Sequence, residues 1–227
     1  MALKEKTDLA PQLTVKHHAF CLESKEPAEG YKAIEVFNPS TQQNQTKYVK
    51  LYSELDGFLD EIRWYNREHD GKTYSGLNLT VRDGDFVAQL DLPTGKRSFD
   101  TFLRFAENLD FNLPITFVAF KGRDDKTAFF AKQKGETVKW KFTKDNPHGC
   151  PEPRKSRTTG KWDFSDTTDW LLERLLEQVC PMVEAAASAR THDAGASAHL
   201  KTKAKAVGSA VDADDPFGVL PDDNDPF

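Results

Sequence analysis

Two clusters of metal-competent side chains stand out in this chain. HHAFC carries His17, His18 and Cys21, and HGC carries His148 and Cys150. Ligands drawn from both would complete a tetrahedral zinc site if the two segments lay side by side. Neither cluster has a standard zinc spacing, so the competing reading is a strand histidine with inert thiols. No enzyme signature accompanies them: the chain has no glycine-rich phosphate loop, G-x-S-x-G, H-E-x-x-H or C-x-x-C. Carboxylates are numerous but scattered, and abundance alone does not make a catalytic pair. The expectation is a protein with no catalytic residue and no cofactor.

A second set of residues suits binding. From Lys121 to Lys161, twelve Lys or Arg stand against five Asp or Glu. Lys121, Arg123, Lys126, Lys132, Lys134, Lys139, Lys141 and Lys144 are interleaved with Phe129, Phe130, Trp140 and Phe142. Arg154, Lys155, Arg157 and Lys161 follow in a segment broken by prolines. Single-stranded nucleic acid calls for this mixture, because cations track phosphates and flat rings stack on unpaired bases. Duplex readers more often carry a basic recognition helix. Alternation along 137–142 places Val138, Trp140 and Phe142 on one face, read as core, with Lys139 and Lys141 on the wet face. Phe129 and Phe130 must point to opposite faces, which leaves one of them beside Lys132 and Lys134 as a stacking candidate.

The third set is the terminal DDPFGVLPDDNDPF. Residues 212–227 hold six Asp and no Lys or Arg. Asp222, Asp223, Asn224, Asp225, Pro226 and Phe227 form the tip, and Asp214, Asp215, Pro216 and Phe217 are its internal echo. A merely solubilising tail needs no aromatic ring. Phe227 joins a ring to the α-carboxylate, a pair that a pocket with an apolar floor and an Arg at its lip can read. Pro226 lowers the entropy lost on docking, and the Asp residues attract basic partner surfaces over distance.

A β-rich domain, a low-complexity linker and an acidic Asp-x-Pro-Phe tip, several Asp, then a residue, then Pro-Phe, resembles the single-stranded DNA-binding proteins of bacteria and their phages. The likeness is close only at the tip. The length and helices are more similar to a divergent, phage-type member, which would work in the cytoplasm of the bacterial host. The resemblance implies partners such as a polymerase, helicase or nuclease docking on Asp214, Asp215, Pro216, Phe217, Asp222, Asp223, Asp225, Pro226 and Phe227.

These side chains need elements to carry them. Strand-like composition covers 14–20 and 31–37. Leu55, Phe58, Leu59, Ile62 and Tyr65 recur at three- and four-residue steps and predict a helix over 52–68. GLNLTV and FVAQLDL, joined through Asp83-Gly84, predict a hairpin. A short helix is expected over 98–109, with Ser98 as N-cap and Phe102, Phe105, Ala106 and Leu109 on its apolar face. A three-stranded meander over 115–120, 127–133 and 137–142 turns at GRDDK and KGE. A basic loop spans 143–165. A longer helix follows over 166–187, with Trp170, Leu171, Leu175, Val179, Met182 and Val183 on its apolar stripe.

The expected fold is mainly β with accessory helices: an OB-like β-barrel, a C-terminal helix and a disordered acidic tail. Two curved sheets backed by helices are the competing architecture. The expected organisation is a single-stranded DNA-binding domain over 1–187, a flexible linker over 188–211 and a partner-docking tail over 212–227. The linker is too poor in large apolar residues to offset an ordering cost of about 1–2 kcal/mol per residue. The stripe of the long helix serves either to close the barrel or to pair two subunits. No run of eighteen apolar residues exists to span a membrane. The N-terminus shows no secretory h-region, and three scattered cysteines make no disulfide framework. The composition and the tail together predict a cytoplasmic protein that protects single-stranded DNA in replication, recombination or repair and recruits processing enzymes. The rival readings are an adaptor or inhibitor that docks by its tip without binding DNA, and a nuclease with an unrecognised carboxylate cluster.

Overall fold

Short turns set the course of this backbone, which the computed structural model describes over residues 10–38, 42–122 and 126–193. β1 (Gln12–Lys16) turns at His17-His18 into β2 (Ala19–Ser24), and the two histidines have φ of 50° and 60°. Positive φ at both central positions is the requirement of a type I′ hairpin turn. TVKHHAF is therefore two strands and their turn, not the single strand expected over 14–20. β3 (Lys32–Asn38) pairs with β4 (Gln43–Tyr52), which passes through Ser53 into β5 (Glu54–His69). β5 turns at Asp70-Gly71 into β6 (Lys72–Asp83), and β6 forms the expected hairpin with β7 (Phe86–Pro93).

The helix expected over 52–68 is thus the long strand β5, and the cause is a bulge. Its register on β6 shifts between Leu59 and Glu61. Before the shift, Leu55, Gly57 and Leu59 point inward; after it, Ile62 is buried and Trp64 packs against the core. The extra residue at Asp60 changes the parity of the strand. Inward positions 55, 59 and 62 then fall four and three residues apart, which is also the signature of a helix.

The bulge has a structural use. The Asp60 carboxylate accepts hydrogen bonds from Arg82 on β6 and from Arg190 near the chain's C-terminal helix end. Arg190 also donates to the carbonyls of Leu59 and Phe111, and lies 4.9 Å over the Phe58 ring.

The second group of strands is β8 (Ile115–Lys121), β9 (Thr127–Gln133) and β10 (Glu136–Thr137), with the expected tight turn at Lys134-Gly135. β10 has only two residues, not the full 137–142 strand expected. After the Val138 amide donates to Ala131, the chain leaves the ladder, and the Lys141 amide donates to the Arg104 carbonyl instead. That carbonyl belongs to α1 (Arg97–Phe105), which continues as a 3-10 turn, Ala106–Asn108. The predicted face of Phe102, Phe105, Ala106 and Leu109 is buried, joined by Phe99. Ser98 lies buried within the first turn, and the N-cap is Lys96, which makes no side-chain cap.

The strand order is β10-β9-β8-β5-β6-β7-β1-β2-β4-β3, with β1 and β7 parallel and the other pairs antiparallel. The order ends at β10 and β3 and does not return on itself, so the sheet is not closed as an OB-like barrel. It is nevertheless curled. The chain at Ser53 links β4 to β5, the Ala119 amide donates to the Ser53 carbonyl, and Phe20 of β2 meets Phe129 of β9 at 6.2 Å. Phe20, Leu59, Leu77, Leu79, Leu90, Phe117 and Phe129 line the inner face together with α1. A separate two-stranded hairpin, β11 (Arg154–Lys155) and β12 (Trp162–Asp163), interrupts the expected basic loop.

The C-terminal helix is α2 (Ser165–Arg174), a π-helical turn (Leu175–Val179) and α3 (Cys180–Asp193) in one run. It extends past the expected end at 187, so the first residues assigned to the linker are helical. Leu171, Leu175, Val179 and Val183 are buried at steps of four, with Ala186 beyond. A four-residue step overshoots a 3.6-residue α-turn, and the wider π-turn takes up the excess. It ends two residues before Pro181, which has no amide hydrogen to give. Met182, expected on the apolar stripe, is 55% exposed. Among the described residues, no helix is long and apolar enough to cross a membrane.

Candidate nucleic-acid interface

The expected stacking rings of the meander are in the core. Phe129 and Phe130 do point to opposite faces of β9, but each is only 5% exposed. Phe129 lies against Phe117, Phe105 and Phe20. Phe130 stands opposite Val118, meets Phe120 edge-on at 5.5 Å, and has Lys132 Nζ 5.5 Å over its ring. Strand β8 thus supplies cover for the second face as well, and neither Phe offers a surface to a base. Val138 and Phe142 are buried as the alternation predicts, and Trp140 is half-buried against the core.

The cations of the meander divide into two groups. Lys141 Nζ lies 3.2 Å from Glu107, a carboxylate that Arg174 grips from Nε at 2.7 Å and Nη2 at 2.9 Å. Burial works to raise the Glu107 pKa, but the bonds from Arg174 and Lys141 outweigh it and hold it below the ordinary value. Arg104 is buried beside Trp140, 5.5 Å over that ring, and burial depresses its pKa. These groups hold the structure together.

The remaining cations face solvent. Lys134 stands at the tip of the β9–β10 turn, Lys139 is exposed, and Lys121 and Lys144 are exposed at the ends of their segments. On the β11–β12 hairpin, Arg154, Lys155, Arg157 and Lys161 are all exposed. Lys155 lies 5.7 Å over the Trp162 ring, and Arg154 pairs with Asp166 at 2.9 Å. Arg123 lies outside the described residues, as do both copies of the tail motif, Asp214 to Phe217 and Asp222 to Phe227.

The zinc reading does not fit this arrangement. His17 and His18 form a turn, and His18 meets Thr127 Oγ1 through its amide at 3.2 Å and Nδ1 at 3.4 Å. His148 packs edge-on against Phe142. Cys21 is buried near Glu23, Lys16 and Lys47, whereas Cys150 is buried near Arg104 and Arg174; burial raises both thiol pKa values. Among the described residues, no group of three or more His, Cys, Asp or Glu is placed to hold a metal ion. A shallow groove lined by Leu109, Asp110, Phe111, Asn112 and Met182 offers one carboxylate.

One surface is hidden from the sequence reading. On a helix over 52–68, the alternation of Arg63, Tyr65 and Arg67 has no meaning. On β5 these three side chains share a face, and the register places Tyr74 opposite Arg67 and Lys72 opposite His69. Asp70-Gly71, the same turn signal as Asp83-Gly84, is the clue to it.

The chain belongs by its fold to the mainly β proteins, with a curled sheet, a helix-backed core and cations gathered on turns and a small hairpin. No protein family, curated protein or solved structure matches it.

Proposed function

We propose that this protein binds and protects single-stranded DNA during replication, recombination or repair. On the same reading, its acidic C-terminal segment recruits a processing enzyme such as a polymerase, helicase or nuclease. The scaffold would be an open, curled relative of the OB-like barrel, acting without catalysis in the cytoplasm of a bacterial host.

The observation that carries the binding reading is the exposure of Lys134, Lys139, Lys155, Arg157 and Lys161 on turns and a short hairpin. Cations held there meet a flexible phosphate chain without the rigid geometry that a duplex groove demands. The recruitment reading rests on the chemistry of 214–227: two Pro-Phe pairs, Pro216-Phe217 and Pro226-Phe227, each preceded by Asp residues.

Titration of the full chain against single-stranded oligomers, duplex and RNA at two salt concentrations tests the binding. Each neutralised phosphate should contribute about -0.7 to the log-log salt slope on single strands. The combined variant Lys134→Glu, Lys139→Glu and Lys161→Glu should weaken binding and flatten that slope. Unchanged affinity, or an affinity independent of salt, rejects the reading. Deleting Phe227 should abolish enzyme docking while leaving DNA affinity intact. Phe217 follows two Asp where Phe227 follows three, so Phe217→Ala should cost less.

A further inference from the structure

The β5–β6 hairpin runs beyond the body of the protein. Its last buried inward-facing residues toward the tip are Ile62 and Leu77, whereas residues 66–74 are exposed without exception. The register from Asn66↔Ser75 to His69↔Lys72 therefore forms a projecting two-stranded arm, about 13 Å long at the usual rise of a strand. Such a ribbon is marginal on its own in water. Asp70 and Gly71, with φ of 52° and 68°, close it in the favoured turn geometry.

The two faces of the arm differ. One continues the core face and carries Asn66, Glu68, Thr73 and Ser75. The other carries Tyr65, Arg67, Lys72 and Tyr74, and it is organised. A Cβ at position 76 would stand 2.6 Å from the Tyr65 hydroxyl and 2.6 Å from the Leu92 carbonyl oxygen. Gly76 thereby lets the Tyr65 ring cross β6, and its hydroxyl donates to Asp91 Oδ1 on β7 at 2.8 Å. Burial and this bond raise the hydroxyl's pKa. The Arg67 guanidinium lies 5.1 Å over the Tyr65 ring, and Tyr74, 50% exposed, stands opposite Arg67 in the register. Glu61 pairs with Arg63 at the base of this face, but among the described residues no carboxylate pairs with Arg67 or Lys72.

We propose that this arm is a second contact surface for single-stranded DNA, with a base stacking on Tyr74 and the Arg67–Tyr65 layer while Arg67 and Lys72 meet phosphates. The inference rests on the functional reading above. A fixed ring, a guanidinium plane and cations with no carboxylate partner among the described residues, all on one flat face, form the combination that unpaired nucleotides recognise. Protein partners of an exposed ribbon edge would instead pair with its backbone.

The test measures affinity of the full chain for oligothymidylate by fluorescence anisotropy. It compares the wild type, the combined variant Arg67→Ala, Lys72→Ala and Tyr74→Ala, and the same variant with Tyr74→Phe in place of Tyr74→Ala. The triple variant should weaken binding roughly ten- to hundredfold. The form keeping a ring at position 74 should recover part of that loss, and all thermal midpoints should stay close because these side chains are exposed. Should the Lys134, Lys139 and Lys161 variant weaken binding while the arm variant matches the wild type, this inference falls and the functional reading stands. A wild type that does not bind oligothymidylate at low salt overturns both. An arm variant of unchanged affinity that turns a dimer into a monomer in light scattering assigns the arm to a second copy, which also overturns it.

Discussion

The β8–β10 meander and the β5–β6 arm are written in the same residue types and meet opposite fates. Phe129 and Phe130 sit among cations in the sequence, as do Tyr65 and Tyr74. In the meander both rings are buried, because α1 covers one face of β9 and side chains of β8 and β9 cover the other. Among the described residues nothing packs on the distal part of the arm, and the Tyr74 ring is half exposed. The cations follow the rings: Lys141 is tied to the carboxylate of Glu107, whereas Arg67 lies on an aromatic face. An interleaved ring-and-cation pattern therefore leaves its rings exposed only where no third layer packs on it.

The sharpest way to break this comparison is to delete a ring from each region. Phe129→Ala should destabilise the fold by about 3–5 kcal/mol, the usual cost of truncating a buried Phe, in denaturant unfolding. Tyr74→Ala should stay within about 0.5 kcal/mol of the wild type, as exposed substitutions do. Equal losses would mean that the arm is packed in solution.

Glu107 provides the next test. Glu107→Ala should cost roughly 2 kcal/mol, below the range for a fully buried pair because Arg174 is partly exposed. The pH dependence has a definite sign. Because the folded pKa lies below the ordinary 4.5, the stabilisation is complete above that value and is lost as pH falls through the folded pKa. Glu107→Gln should flatten the acid limb of a stability-versus-pH curve. An acid limb identical to that of the wild type would show that the bonds from Arg174 and Lys141 add nothing.

Gly76 is the corresponding position for the arm. Gly76→Ala should cost about 1–3 kcal/mol, the range for overpacking, since its methyl would meet a backbone oxygen at 2.6 Å. It should also unseat Tyr65 and increase proteolytic cutting within 63–76, which limited digestion reads directly. The smallest expected effect concerns salt. For each phosphate that Arg67 or Lys72 no longer neutralises after substitution, the log-log slope should shrink in magnitude by about 0.7. Lys141→Gln should change that slope less than Lys139→Gln does.

Parts of this fold are legible because they are decided locally. Asp83-Gly84 with flanking alternation gives the β6–β7 hairpin, and Lys134-Gly135 gives the β9–β10 turn. The apolar faces of α1 and of the C-terminal helix emerge at helical spacing, and the alternation of Val138, Trp140 and Phe142 against Lys139 survives although the ladder stops at Thr137. Asp70-Gly71 is equally legible but is outweighed by a neighbouring pattern. The helix reading over 52–68 fails because one bulged residue converts a period of two into steps of four and three, and periodicity alone does not separate these cases.

The sequence by itself determined what contiguous residues decide: the turns, the hairpins they close, the apolar stripes and the placement of charge along the chain. Tertiary structure decided which of two faces is covered and which cation has a carboxylate beside it. Glu107 lies 67 residues from Arg174, and Asp60 lies 130 residues from Arg190. Burial and ion pairing are properties of such distant encounters. The same lysine or phenylalanine code therefore reads as core in one place and as surface in another, until the layers that pack against it are known.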